Sequence, residues 1–587
     1  MTKSDKFMNS AFFLSMANRG SSAEKGHKHI ADLARRYGFC YSKVGCGEIE
    51  ISIAGDTPIA SPAKTQPFGF VLGRHGDALT QDRFLKVDIQ DNKIRLENDY
   101  SGSIPVFYAS RNGLVLSNIE PAVFHASDGC LEDLDAANVF GFLKFNHFIW
   151  DETAWSHIHQ TLPDSETIFD ARTGKVTSKY LQTVKSSDAL VGMEDHRVAE
   201  HFYELNADLV NQSMAADDEI ILPLSSGYDS RLILAAISEN PEIAEKTKCF
   251  TYGAPGSIEV HAARALSREA NVYWSHIDLP CQFLERDKLS DIGDVFGASL
   301  HMHGMYQLEF WDEIKAHHGV SDTAVLTSGF MTGVPAGQHN GLLGITRPDT
   351  SLVKAMGNFS QSKVWADEDL LKMPIFHNTD ALALAESRFH QAFDRFDGEL
   401  HQKAVMFDVW TRQRNFISYY PRTFEWLVPT RSPHMRADYA NFFMSISKEM
   451  LFNRKAVEMM FLNHYPAMSK VASNSNGFFS LGGGTKNLIF LASRIMGKLG
   501  LSALVPESYR GQAADFDLRA LRHSQETSLY PLFEDNNLAI EFAAQFGGQD
   551  LFRGEYQKAF NGGIKSYEKL ISLQALATNL QASTKGI

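Results

Sequence analysis

Between residues 222 and 237 the chain reads LPLSSGYDSRLILAAI: an apolar run, then Ser225, Ser226, Gly227, Tyr228, Asp229 and Ser230, then an apolar stretch with helical spacing. Hydroxyls, a glycine and a carboxylate sit where a strand hands over to a helix. Such a turn aims backbone N–H groups along the positive end of the helix dipole, which makes a cradle for phosphate oxygens. Ser225, Ser226 and Ser230 add hydroxyl donors, Gly227 permits a tight turn, and Asp229 can hold Mg²⁺ against a departing phosphate group. Two familiar phosphate motifs do not fit. A Walker loop needs a lysine after its second glycine, and none follows here; a dinucleotide fingerprint needs three spaced glycines, and the stretch has only Gly227. A serine-capped turn without a ligand is the plain alternative.

The surrounding elements must position this loop. EIILPL before it reads as a buried strand, preceded by DHRVAEHFYELNADLVNQSMA with Val198, Phe202, Leu205 and Leu209 at helical spacing. After it come KCFTYG, a strand; SIEVHAARALSREA, a helix; NVYWSHIDL, a strand; and TAVLTSG, a fourth strand. Strands alternating with helices imply a parallel sheet covered on both faces, and ligands of such sheets bind at the carboxyl ends of the strands. Residues 37 to about 185 show short alternating strands broken at Asp91-Asn92, Asn112-Gly113 and Thr173-Gly174, a β-rich region. From about 380 onward the chain is mostly helical, as in ALALAESRFHQAFDRF and RADYANFFMSISKEMLF. The divisions read from these changes are 1–36, a loose helix or tail; 37–190; 191–500; and 501–587, helical.

Composition narrows the classes. A chain of 587 residues exceeds one compact core, and 44% hydrophobic with 21% charged residues is ordinary for a globular protein. A formal charge of −14 argues against a nucleic-acid surface, which needs clustered Lys and Arg. No run of 18 apolar residues suggests a membrane span. The cysteines Cys40, Cys46, Cys130, Cys249 and Cys281 form neither CxxC nor a paired spacing, which fits a reducing cytoplasm and speaks against zinc.

The loop resembles the Ser-Gly-Gly-x-Asp-Ser pyrophosphate loop of the ATP pyrophosphatase (PP-loop) superfamily, and several segments in order resemble the asparagine synthase-related family within it. These are CFTYGAPGSIEVHAARAL, VLTSGFMTGVPAGQHNG, RQRNFISYYPRTFEWLVPTRSPHMRADYANFF and, in the first half, ENDYSGSIPVFYASRNGLVLSN, so the likeness spans about residues 40 to 480. It implies an α+β N-terminal sandwich of the Ntn-hydrolase type, a degenerate glutaminase, followed by an α/β PP-loop synthetase domain with a helical C-terminal part. It implies ATP and Mg²⁺ as cofactors. The loop from Leu224 to Ser230 would hold pyrophosphate, Phe250, Thr251 and Tyr252 the adenine, and Ser328 and Gly329 a second pyrophosphate and magnesium segment. Asp229 would be metal ligand and catalytic group, with Arg414, Glu425 and Lys470 as further catalytic residues. Partners would be a small-molecule or peptide carboxylate and an amine or ammonia, with no nucleic acid and no membrane, and with a homodimer among the oligomeric states left open.

Departures from the family pattern sharpen these expectations. Position 2 is Thr2, so the cysteine nucleophile of glutamine-using relatives is missing, and Cys46-Gly47 matches its opening pair only if 45 residues are removed. An aspartate of the second magnesium segment falls at Thr332 or Gly333, and a catalytic lysine falls near Asn474, with Lys470 displaced from it. The leading expectation is an AMP-forming amide synthetase; a nucleotide-binding scaffold and a glutamine-dependent amidotransferase are the alternatives. Other candidates have plainer readings: His301 and His303 as substrate contacts or packing, His317 and His318 as a helix C-cap, Lys486 in a glycine-rich loop, and Arg412, Arg414 and Glu425 as a surface salt bridge.

Overall fold

The computed structural model describes residues 11–16, 21–55, 67–73, 82–145, 147–252, 258–277, 293–297, 308–338, 367–377, 380–471 and 473, with isolated residues 496 and 544. An antiparallel β region comes first and a five-stranded parallel α/β sheet follows.

The first region opens with β1 (Ala11–Met16) and α1 (Ser21–Tyr37), then runs β2 (Cys40–Cys46), β3 (Ile49–Gly55), β4 (Phe68–Gly73), β5 (Phe84–Gln90), β6 (Lys93–Asn98), β7 (Phe107–Ala109) and β8 (Val115–Ser117). Helices α2 (Glu120–Ala126) and α3 (Ala136–Phe145) precede β9 (His159–Gln160), β10 (Ser165–Asp170) and β11 (Val176–Tyr180). Two antiparallel sheets result, ordered β2-β3-β1-β8-β7-β9 and β11-β10-β6-β5-β4. Their facing sides share one apolar core, with Phe12, Leu14 and Ile51 meeting Leu85, Val87 and Leu96. Period-two alternation explains the second sheet: Leu85, Val87 and Ile89 turn inward while Lys86 and Asp88 alternate with them. The hairpin between β5 and β6 turns on Asp91 and Asn92, both at positive φ, as two-residue hairpins favour.

Residues 11–16 and 21–36 are not part of a loose tail. β1 is hydrogen-bonded between two neighbours, with Leu14 opposite Ile51 on one side and Leu116 on the other. Ala11 and Phe13 pack on the α1 and α2 side while Phe12 and Leu14 face the second sheet, so both faces of the strand are buried. A short strand buried on both faces shows little alternation, and this one looks like a stray apolar patch in sequence.

The second region contains α4 (Asp195–Met214), β12 (Ile220–Pro223), α5 (Tyr228–Ser238), α6 (Pro241–Glu245), β13 (Thr247–Tyr252), α7 (Ile258–Glu269), β14 (Tyr273–Ile277), β15 (Val325–Thr327) and β16 (Thr430–Arg431). All pairs in its sheet are parallel, in the order β14-β13-β12-β15-β16. The four strands read from sequence are present, and β16 is a fifth. Ile220 and Leu222 face a core shared with α4 and α5, while Ile221 faces the opposite layer with Phe250, Trp311 and Leu326. Strand order reverses between β12 and β15, so the loops leaving these two strands diverge there. A crevice at such a switch point is where ligands bind open α/β sheets.

A long helical stretch, Leu400–Asp408, π-helical Val409–Ile417 and Tyr419–Glu425, ties the two regions together. Trp410 Nε1 donates to Tyr100 O at 2.9 Å and Asn415 Nδ2 to Phe148 O at 2.8 Å. Among the described residues no helix is long and apolar enough to cross a membrane.

Candidate functional site

The site forms where β12 ends. Leu224 extends the sheet by donating its N–H to Phe250 O at 2.8 Å, and Thr251 Oγ1 donates to Leu224 O at 2.7 Å. Trp274 Nε1 in turn donates to Thr251 Oγ1 at 3.0 Å, so that hydroxyl is a structural tie and not a free ligand. Phe250 is buried against Tyr273 and His318, and its carbonyl serves the loop. Tyr252, half-buried, stands at the end of the same strand.

Beyond Leu224 the loop folds on its own hydroxyls. Ser225 N–H donates to Ser230 Oγ at 3.1 Å, the two hydroxyls are 3.1 Å apart, and Gly227 N–H donates to Ser225 Oγ at 3.1 Å. Gly227 has φ −67° and ψ 172°, angles open to any residue, so the tight-turn role expected of it does not hold. A Cβ there would meet only Ser225 Oγ, at 3.2 Å. Ser226 N–H donates to the Glu259 carboxylate at 2.6 Å. A carboxylate oxygen of the chain itself thus occupies one N–H of the loop. Glu259 lies in the first turn of α7, where a carboxylate also suits the helix dipole.

Arg231, buried under the loop, clamps it from behind: Nη2 donates to Ser226 O at 2.8 Å, and Nη1 to Met468 O at 3.1 Å and Val471 O at 3.0 Å. Burial lowers its pKa to about 10, still far above neutrality, so the clamp stays charged. Tyr228 turns away from the loop mouth into the helical layer, with Phe461 at 5.9 Å and the Arg454 guanidinium 4.6 Å above its ring.

Asp229 occupies the first turn of α5, favourable for an anion. The segment leaving β15 covers it. A Cβ on Gly329 would approach Asp229 Cβ to 3.1 Å, and one on Gly333 would come within 3.0 Å of Asp229 Oδ1, so the backbone at both positions passes close against Asp229. Met331, between them, is held at φ 66°, a costly conformation for a long side chain and one that clusters at functional sites. Ser328 N–H donates to Arg431 O at 2.7 Å and its Oγ accepts from Phe330 N–H at 3.2 Å.

Behind this segment runs a buried polar chain. Tyr439 O–H donates to Thr332 O at 2.6 Å; Thr332 Oγ1 is 2.8 Å from His434 Nδ1; His434 Nε2 is 2.9 Å from Asn206 Oδ1; and Asn206 Nδ2 donates to Leu232 O at 3.1 Å. Desolvation pushes the His434 pKa down to about 3, so the ring is neutral, and the contacts fit a proton on Nε2 with Nδ1 accepting. The chain fixes the β15 loop relative to α4 and α5.

Residues expected to be catalytic fall in different places. Arg414 is buried at the seam between the regions, its Nε donating to Gly102 O at 3.3 Å, Nη1 to Trp150 O at 3.2 Å and Nη2 to Thr161 O. These carbonyls of the β region engage all three of its nitrogens, and burial lowers its pKa to about 10. Glu425 pairs with Arg83 of the β region, and burial raises its pKa against the opposing pull of that guanidinium. Neither forms the surface salt bridge considered from sequence. Arg412, on the same π-helix, has its guanidinium 5.2 Å above the Phe416 ring. Lys470 is exposed at the end of the helix Pro466–Ser469, beside the Val471 carbonyl that Arg231 holds.

Cys46, at the end of β2, is buried between the two sheets, and desolvation raises its thiol pKa. Cutting the chain before it would also remove β1 from the centre of the sheet. His317 lies 3.7 Å from Glu313 one turn back, and His318 packs on Phe250, in keeping with the helix-end reading. His301, His303, Asn474 and Lys486, and the helical segment expected at 501–587, lie outside the described residues apart from residue 544.

The donor set suits a hard cation. Among the described residues no group of three or more His, Cys, Asp or Glu could hold a metal by itself. Asp229 with serine hydroxyls would instead hold Mg²⁺ jointly with phosphate oxygens, the usual way Mg²⁺ is bound. Glu259, Arg231, Asn206 and His434 were not singled out from sequence; Arg231 and Glu259 had a local signal, each in the first turn or so of a helix bordering the loop. No known protein-family model matches the chain, and no curated protein is detectably similar to it.

Proposed function

We propose that this chain is an ATP-dependent, AMP-forming amide-bond synthetase. The observation that carries the reading is the hydroxyl-rich loop at the carboxyl end of β12, at the switch point of the sheet, with Asp229 beside it and an acidic oxygen already on the Ser226 N–H. In this reading the N–H groups of Ser225, Ser226 and Gly227 exchange their present partners, the Ser230 and Ser225 hydroxyls and the Glu259 carboxylate, for the β- and γ-phosphates, and the two hydroxyls turn to the same oxygens. A substrate carboxylate attacks the α-phosphorus, pyrophosphate leaves, and an amine or ammonia then attacks the acyl carbon of the adenylate with loss of AMP. Asp229 would hold Mg²⁺, which would supply charge neutralisation for the pyrophosphate. Arg231 and the Thr332–His434–Asn206 chain keep the two loops in register, which is where positioning accelerates such a reaction.

Arg414 and Glu425 are assigned to the seam in this account and leave the catalytic set. The β region acts as a scaffold of Ntn-hydrolase type, and nitrogen comes from ammonia or a substrate amine. The carboxylate is a sugar uronate or a peptide terminus or side chain. A second reading, a nucleotide-binding scaffold without chemistry, is favoured by Gly333, which brings no carboxylate to Asp229.

The test is pyrophosphate release from ATP and Mg²⁺ by purified protein over a panel of carboxylates with ammonium or amines, wild type against Asp229→Ala. Release that needs both a carboxylate and Asp229 supports the synthetase. ATP binding with no release across the panel supports the scaffold.

A further inference from the structure

We infer that Gln338 supplies the second oxygen ligand, beside Asp229, for the divalent cation that accompanies ATP. The inference rests on the ATP reading above and concerns the same crevice.

Its basis is one small volume bordered by two side-chain oxygens. A Cβ at position 333 would lie 3.0 Å from Asp229 Oδ1 and would run into Gln338 Oε1. Any side chain rooted at 333 would therefore compete for the space that the Gln338 amide fills. Chain geometry brings Gln338 there. Gly337 takes φ +84°, and a Cβ on it would meet Leu451 O at 2.5 Å, so the turn requires glycine twice over. That turn lets Gln338 N–H close back on Gly333 O at 3.0 Å, folding residue 338 over residue 333.

The chemistry of the pair is that of a hard-cation site. A carboxylate and an amide carbonyl are both oxygen donors of the kind Mg²⁺ accepts, and the cation normally completes its shell with phosphate and water. A divalent cation between a carboxylate and an amide oxygen would be attracted to both. A neutral amide carries less charge than a carboxylate, so the site holds its cation through the nucleotide more than by itself. The turn is also built to stay in place, because Thr332, at its start, is anchored through His434 and Tyr439.

The test uses the full chain with Mn²⁺ as a paramagnetic probe and α,β-methylene-ATP, which cannot release pyrophosphate. Free Mn²⁺ is followed by electron paramagnetic resonance, and nucleotide affinity is measured separately in excess chelator. Gln338→Ala is expected to weaken Mn²⁺ binding about tenfold in the presence of nucleotide, while metal-free nucleotide affinity moves by about twofold or less. Gln338→Glu is expected to tighten Mn²⁺ by about threefold or more, which a side chain that merely packs would not do. Thermal melts of both variants report folding. If both variants bind Mn²⁺ as wild type does while nucleotide still binds, Gln338 is no ligand and the ATP reading stands. If wild type binds no nucleotide with or without Mn²⁺, both the ATP reading and this inference fall.

Discussion

Both regions of the molecule bury a neutral histidine between hydroxyls or amides, yet only one of them turns that device toward a crevice. In the β region His27 lies between Ser15 of β1 at 2.9 Å and Ser52 of β3 at 2.8 Å, with Tyr41 O–H completing the chain on Ser52. Desolvation drives its pKa down to about 4. Ser15 and Ser52 lie buried under α1, which carries His27, so the chain fastens a helix to a sheet and ends there. In the α/β region His434 joins Thr332 to Asn206, and Thr332 belongs to the loop that overlies Asp229. The hydrogen bonds are alike; the difference is what they hold. Strands of the β region end in hairpins that pair again, whereas parallel strands must leave the sheet through loops, and those loops are free to carry chemistry.

The contrast can be broken most sharply at Asp229. Asp229→Ala is expected to lower carboxylate-dependent pyrophosphate release by about two to three orders of magnitude with an unchanged thermal melt. Substitutions in the His27 chain should do the reverse, lowering the melt and leaving the catalytic rate of the folded fraction alone.

Next in size is the seam. Arg414→Met strands two buried carbonyls and one half-buried one and should cost roughly 3 kcal/mol of stability, seen as a lower melting temperature. ATP affinity should change by about twofold or less. A large loss of affinity without loss of stability would return Arg414 to the catalytic set.

Acid sensitivity should be divided between the regions. His27, His125 and His434 have folded pKa values lowered by burial to about 4, 3 and 3, against 6.5 as the reference. Between those limits the unfolded chain binds protons that the folded chain refuses, so stability is full above pH 6.5 and falls as pH drops. Each histidine contributes a slope of about 1.4 kcal/mol per pH unit in that window. His434→Gln should remove one such share from a chemical denaturation series between pH 6.5 and 4. It should also loosen the Asp229 loop, which the corresponding change at His27 should not.

The smallest effect is expected at Lys470. Its side chain is in water, where a point charge acts weakly, so Lys470→Ala should change the release rate by roughly threefold or less.

What was legible in the sequence follows the range of the forces involved. The loop from Leu224 to Ser230 and the strands β12 to β15 are written in local periodicity, and the turns at Asp91-Asn92 and Asn112-Gly113 in residues that accept positive φ. β16 escaped notice because two residues carry no period, and β1 because burial on both faces erases alternation. Within the site, Asp229 announced itself by its place after the serines. Gln338 did not, since only the return of the chain through Gly337 brings it over Gly333. The partners of Arg414 and Glu425 were not legible because they lie hundreds of residues away: a buried arginine facing carbonyls looks, in sequence, like one facing a substrate.

The most direct test of the central claim is a crystal structure of the full chain with Mg²⁺ and α,β-methylene-ATP. The account expects the β- and γ-phosphates on the N–H groups of Ser225 to Gly227 at the end of β12, with the cation beside Asp229. Triphosphate density in the β region, or elsewhere on the α/β sheet with the Ser225–Ser230 loop unchanged and vacant, would contradict it.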